Sequence, residues 1–389
     1  MTTVDRWQLP DGVEEVLPEQ AAAVEHLRRA LLDLFASWGY QLVIPPLMEF
    51  TESLLVGLGA DLDLLTFKMT DQLSGRSLGV RADITPQVAR IDAHSLGETG
   101  ISRLCYAGST LHTQPKTLMA SRSPIQLGAE LYGDSSEAAD LEIIGLMLAT
   151  LAAAGLEDIT LDLGHVGAYD AVLKSAALSP EQEATIFDAL QRKSRPDLSI
   201  ALDGVSEHAA KLVLGLLDLH GDATVLDRAR ALFREDANGA LAAVEKLQTV
   251  ADALTAQHPG LSIYFDLAEL RGYHYHTGIV FAAYVPGYGQ AVANGGRYNN
   301  VGEVYGRARP ATGFASDLKA LTALSRVAPE TRGAISKPNH ADPALEQVVA
   351  RLREAGEIVI NRLADRPDTR CDRELVCQND EWVVVALNS

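Results

Sequence analysis

Residues 167–256 change the character of the chain. They are rich in Ala, Leu, Glu and Asp with apolar positions at helical spacing, and they interrupt segments that read as strands on both sides. A strand at 158–163 precedes the block, and strands at 262–267 and 277–285 follow it. A helical block set between strands excludes an all-β or all-α architecture. It points to an α+β fold in which the block is an insertion.

The rest of the chain supplies the elements around it. Val24, Leu27, Leu31, Leu34, Phe35 and Trp38 recur at spacings of three and four, which predicts an amphipathic helix over 19–38 stopped at Gly39. A short strand follows and ends at Pro45-Pro46, a pair that cannot donate to a ladder and so marks either a sheet edge at an interface or a plain turn. Residues 66–83 read as a hairpin turning at Ser74-Gly75, and 101–107 and 125–133 as two strands joined by a long loop. A largely apolar helix spans 136–154 and stops at Gly155. The Gly/Asn-rich stretch 286–300 reads as turns, with Gly295, Gly296, Arg297 and Tyr298 either lining a pocket or making a tight turn. Gly313-Phe314-Ala315 opens a helix running to about Leu324. Pro329, Gly333 and Pro338 give 326–342 a linker composition. Residues 343–389 then form a small α/β unit: a helix at 344–355, a strand near 357–361 and a final hairpin containing Val383-Val384-Val385.

Charge narrows the partners. The chain carries 33 Lys and Arg against 52 Asp and Glu, a formal charge of −19. A nucleic-acid binder gains most of its affinity by neutralising phosphates, so this field argues against a nucleic-acid partner. No apolar run reaches the roughly 18 residues of a membrane span. The start, MTTVDRWQLPDG, lacks the basic-then-apolar pattern of a signal peptide. Cys105, Cys371 and Cys377 fit no zinc spacing, so the expectation is reduced thiols in the cytoplasm, with no structural metal and no cofactor.

Two segments carry polar groups dense enough to suggest a ligand. Arg271, Gly272, Tyr273, His274, Tyr275 and His276 offer a guanidinium fork, phenols and imidazoles in one run. Such a set suits a small zwitterion with a polar ring, such as an amino acid; it equally suits a half-buried strand start with satisfied side chains. In 125–132, Leu127, Ala129 and Leu131 face one way and Gln126, Gly128, Glu130 and Tyr132 the other. The second face sets an amide and a carboxylate beside a glycine, which either leaves room for a ligand or is simply solvated.

Six ordered blocks carry a resemblance: GYQLVIPPLMEF, TFKMTDQLSGRSLGVRADITPQVAR, RLCYAGSTLH with IQLGAELYG, RGYHYHTGIVF, GGRYNNV and RARPATGFASDL. From about residue 8 to 325 the chain resembles the catalytic core of histidyl-tRNA synthetase, a class II aminoacyl-tRNA synthetase. The resemblance implies an antiparallel sheet flanked by helices over 1–325, with the insertion at 167–256, and a dimer formed around the first block. It implies a histidine pocket. Asp83 and Thr85 hold the amino group, Gln126 and Glu130 lie in the same pocket, Arg271 meets the carboxylate and Tyr275 is one of two tyrosines. His276 replaces the other. Strict alternation puts Arg271 and His276 on opposite faces, so the backbone after Gly272 has to bend.

The same comparison implies that adenylate chemistry is lost. Class II enzymes meet the ATP phosphates with two arginines and metal. His112 and Ala320 stand at the two arginine positions, and only Lys116 and Arg122 remain basic in the loop after 101–107. Lys319 is one residue off, about 100° around a helix. The tail is about half of the roughly one-hundred-residue anticodon-binding domain expected of a synthetase. A histidine pocket without ATP or tRNA machinery resembles the regulatory subunits of ATP phosphoribosyltransferase. That likeness implies a non-catalytic protein that dimerises, joins short-form catalytic subunits in a hetero-octamer and mediates feedback inhibition by histidine. The alternatives are an active histidyl-tRNA synthetase and a stand-alone amino-acid-binding or ligase paralogue.

Overall fold

The structure is a computed structural model that describes residues 7–55, 60–115, 120–176, 178–234, 238–270, 272, 275–327, 332–363 and 367–387. The chain divides into two compact units, Met1–Val327 and Ala328–Ser389.

The first unit is built on a nine-stranded sheet. Its strands are β1 (Gln41–Leu42), β5 (Ser102–Ser109), β6 (Ile125–Tyr132), β7 (Thr160–His165), β8 (His220–Gly221), β9 (Ser262–Asp266), β10 (Ile279–Tyr284), β11 (Ala293–Arg297) and β12 (Ala311–Asp317). A small antiparallel sheet stands beside it, made by β2 (Met48–Phe50), β3 (Phe67–Thr70) and β4 (Ser77–Val80) in the order β2-β4-β3. The large sheet runs β1-β5-β6-β12-β11-β10-β7-β9-β8. It is antiparallel except where β1 meets β5 and β7 meets β9. This is the expected α+β sheet with helices on it.

Helix Pro18–Ser37 starts on its own proline, buries Val24, Leu27, Leu31 and Phe35 in one stripe, and ends before Gly39 at φ +85°. Trp38, just past its end, is 38% exposed and lies outside the buried stripe. Helix Glu137–Ala153 is apolar nearly all round and is accordingly buried over most of its length. The described residues of 166–257 form six helices, interrupted by the two residues of β8 that pair with β9. Local signals set their ends: Pro180 occupies the first turn of Pro180–Gln191 and Ser179 closes a capping box with Gln182.

Three expectations are corrected. The 286–300 stretch contains β11, paired on both sides by β10 and β12. Gly and Asn have low strand propensity, but two ladders of hydrogen bonds override it. Gly313-Phe314-Ala315 lies in β12; the helix begins only at Leu318, where Asp317 caps it. The expected linker 326–342 contains β13 (Ala334–Lys337), an inner strand of the second unit. That unit orders β13 with β14 (Val359–Asn361), β15 (Cys371–Gln378) and β16 (Glu381–Ala386) as β14-β13-β15-β16. Helix Pro343–Glu354 packs Leu345 and Val349 onto Ile335, Val359 and Leu375.

Candidate functional site

The site begins with a row of missing side chains. Antiparallel pairing sets Glu130 opposite Gly313, Gly313 opposite Gly296, Gly296 opposite Val280 and Val280 opposite Gly164. The next row runs Tyr106, Gly128, Ala315, Asn294, Ala282 and Asp162. Directly paired residues share a face. The reverse face carries Leu127, Ala129, Phe314, Phe281 and Leu163 into the core. One face of the sheet is therefore packed, and the other is hollowed by glycine and alanine. A Cβ on Gly313 would sit 1.6 Å from Glu130 Oε2, and one on Gly128 would sit 2.5 Å from the Tyr106 hydroxyl. Both glycines are required by close approach.

A cavity of about 620 Å³ opens over this face, and Asp83, Thr85, Glu130, Tyr275, His276 and Tyr298 line it. Glu130 is 1% exposed. The Tyr106 hydroxyl donates to its Oε1 at 3.0 Å, and the Tyr298 hydroxyl donates to Oε2. Thr85 Oγ1 lies 3.0 Å from the Tyr106 hydroxyl. Among the described residues no cationic side chain bonds to the carboxylate. Burial, reinforced by the charge of Asp83, pushes its pKa up to about 8 against the relief given by Tyr298, Thr85 and Tyr106. Burial also raises the phenol pKa values of Tyr106, Tyr275 and Tyr298. The Tyr275 ring stands 4.8 Å from that of Tyr298. Its hydroxyl is buried and has no hydrogen-bond partner among the described residues.

Gln126 lies two pleat repeats from Glu130 on the same strand and works differently. It accepts from Ile84 N at 2.8 Å and donates through Nε2 to Asp83 Oδ1 at 2.8 Å. Thr85 N also donates to Asp83 Oδ1, at 3.0 Å. Gln126 thus holds Asp83 in place and itself lines a second cavity. The bend after Gly272 is present: Gly272 takes φ +65°, and Tyr275 N and His276 N both donate to its carbonyl, at 2.8 and 2.9 Å. Arg271, Tyr273 and His274 lie outside the described residues.

The second cavity, of about 900 Å³, is lined by His112 and Ala320 among others. His112 is buried, with Nε2 at 2.9 Å from Ala82 O. Lys319 does not turn away as expected: it lines the same cavity as Ala320. Its ammonium donates to Glu14 Oε1 at 3.2 Å and Ser123 Oγ at 3.3 Å. Lys116 lies outside the described residues. Arg122 spends its guanidinium on the carbonyls of His112 at 3.0 Å and Asp11 at 2.8 Å.

Sequence reasoning missed Tyr106 and the pairing of Gly313 with Gly296, a residue it offers only as lining a pocket or making a turn. Tyr106 had a usable signal, because in β5 it alternates onto the face that meets Gly128. The glycine row had none, since it depends on the order of three strands distant in sequence. Of the 295–298 run, Gly295 and Tyr298 line the first cavity. Arg297 instead pairs with the buried Asp140, its Nε 3.1 Å from both carboxylate oxygens.

Comparison with known proteins follows the same division of the chain. The family model for histidyl-tRNA synthetase matches residues 12–321. The model for the C-terminal domain of the ATP phosphoribosyltransferase subunit HisZ matches 332–385. The ATP phosphoribosyltransferase regulatory subunit of Pseudomonas fluorescens strain Pf-5 is 53% identical over 395 residues, covering 100% of both chains. That of Ectopseudomonas mendocina is 52% identical with the same coverage. Among solved structures, an ATP phosphoribosyltransferase regulatory subunit/histidyl-tRNA synthetase from Bacillus halodurans aligns with a TM-score of 0.83 at 27% identity, over 95% of this chain and 96% of that one. Histidyl-tRNA synthetase from Nostoc sp. aligns with a TM-score of 0.78 at 18% identity over 98% and 97%, a likeness of fold.

Proposed function

Because this chain belongs to the family of ATP phosphoribosyltransferase regulatory subunits, we propose that its first cavity is an effector site for histidine and that the chain does no chemistry of its own. It acts as a regulatory subunit with the catalytic subunit of ATP phosphoribosyltransferase, in histidine biosynthesis. The observation that carries the effector reading is Glu130: a buried carboxyl with phenol donors and no bonded cationic side chain among the described residues. An imidazole N–H or imidazolium supplies what the site lacks. Asp83 and Thr85 suit the ammonium group, the Tyr275 hydroxyl, unpartnered among the described residues, offers a further hydrogen bond, and Arg271 is assigned to the carboxylate.

Aminoacylation is absent on this reading. Ala320 has no donor, the Nε2 of His112 is engaged with a backbone carbonyl, and Lys319 is neutralised by Glu14. One lost donor to a developing anion lowers a rate by about 10²–10³. The chain dimerises through the segment around Pro45-Pro46, where Leu42, Leu47, Met48 and the 85%-exposed Ile44 leave an apolar face. Dimers join short-form catalytic subunits in a hetero-octamer, in the cytoplasm, where free cysteines such as Cys105 stay reduced. No described helix is long and apolar enough to cross a membrane.

Titrating histidine into the chain alone and into the complex, reading heat and enzyme rate, tests the proposal. Heat of binding with loss of rate supports it. Robust histidine-dependent ATP–pyrophosphate exchange by the chain alone would instead make it a synthetase.

A further inference from the structure

The second cavity is crossed by the chain's own N-terminal segment. Gly12, Val13 and Glu14 line it. The segment is docked at defined points. Arg122 N donates to Gly12 O at 2.8 Å, and the Arg122 guanidinium donates to Asp11 O at 2.8 Å. Gly12 takes φ +74°, and a Cβ there would press on the Arg122 side chain at 3.0 Å. A bare glycine in a left-handed conformation therefore lets the segment lie flat on Arg122. Two residues later, Glu14 places a carboxylate on Lys319, whose side chain is only 9% exposed.

The consequence concerns charge. Lys319 is the one lysine or arginine among the described residues that line this cavity, and Arg122 is the described basic residue left in the neighbouring loop. The segment occupies both: Lys319 by ion pairing, Arg122 through backbone carbonyls. The cavity itself is not filled, because about 900 Å³ remains. What the segment engages is the one lysine or arginine side chain among the described lining residues and the arginine beside it.

We propose that residues 11–14 are an internal plug whose Glu14 carboxylate occupies the place of an anionic ligand on Lys319, closing the second cavity to phosphate compounds. The plug keeps a regulatory subunit from withholding a nucleotide that its catalytic partner consumes. That purpose rests on the proposed regulatory role; the plug itself stands on the geometry of the second cavity and is independent of what the first cavity binds.

The test uses inorganic pyrophosphate as probe, in calorimetric titration at fixed low ionic strength. The full chain is compared with Glu14→Ala, with Gly12→Val and with the double variant Glu14→Ala/Lys319→Met. Removing a carboxylate that both pairs with the ammonium and repels the probe should tighten pyrophosphate binding about ten-fold. Gly12→Val, which cannot hold the docked conformation, should move in the same direction. The double variant should return to the wild-type level. Far-UV circular dichroism and a cooperative melt establish that each variant is folded. The proposal is overturned if folded Glu14→Ala and Gly12→Val bind pyrophosphate no better than wild type. A gain that survives loss of Lys319 overturns it equally.

Discussion

Replacing Glu130 by Gln should make the empty protein more stable, and by an amount that depends on pH. The carboxyl is buried under Tyr106, Tyr298 and Thr85, and its pKa lies at about 8 against 4.5 for an ordinary glutamate. A carboxyl of raised pKa keeps its proton in the folded state after the unfolded chain has released it. Stability from this group is therefore complete below pH 4.5, falls as pH rises, and is exhausted above about 8. The span of about 3.5 pH units at 1.36 kcal/mol each gives a loss on the order of 5 kcal/mol. Gln keeps the shape and never ionises; its amide oxygen accepts from one phenol and its NH2 donates to the other phenol's oxygen, as the O–H of the protonated carboxyl would. The two proteins should be equally stable near pH 4.5 and diverge to about 5 kcal/mol near pH 9. Urea denaturation of both, from pH 5 to 9 without histidine, measures the divergence. Other titrating groups, such as Asp140 and Asp317, are common to both and cancel in the difference. Parallel curves across this range would refute the argument, because they would mean that Glu130 is charged and compensated in the empty site. With saturating histidine, the wild-type curve should flatten, since a bound cation offsets the carboxylate.

Three other perturbations separate cavity, ligand and scaffold. Tyr275→Phe removes a buried hydroxyl without a described partner. It should raise the melting temperature of the empty protein while weakening histidine about ten-fold by calorimetry, near 1.4 kcal/mol. Gly313→Ala puts a methyl group 1.6 Å from Glu130 Oε2 and 2.8 Å from Ala129 O. Destabilisation of about 1–3 kcal/mol and loss of histidine binding should follow, read by urea midpoint and calorimetry. Arg297→Met strands the buried Asp140 and frees the carbonyls of Asp134 and Ser136. The expected loss is about 3–5 kcal/mol in urea denaturation.

Much of the scaffold was legible because its signals are local. The stripe of Val24, Leu27, Leu31 and Phe35 and the alternation of 125–132 each specify one element from its own residues. Local reading failed where pairing overrides propensity. Asn294, Gly295 and Gly296 make a poor isolated strand, yet β10 and β12 hold them on both sides.

By itself the sequence determined the α+β class, the helical insertion and most of the polar residues around the first cavity, since periodicity and the ordered blocks are properties of the linear chain. Only the tertiary structure decided how those residues are packed and which of them meet. The sheet sets Gly313 from a remote strand directly against Glu130, with Gly296 on the far side of Gly313, and Tyr106 and Tyr298 cover the carboxyl. The docked N-terminal segment brings Glu14 to Lys319 across 305 positions. Burial and neutralisation are collective properties of packed strands, and no window of sequence contains them.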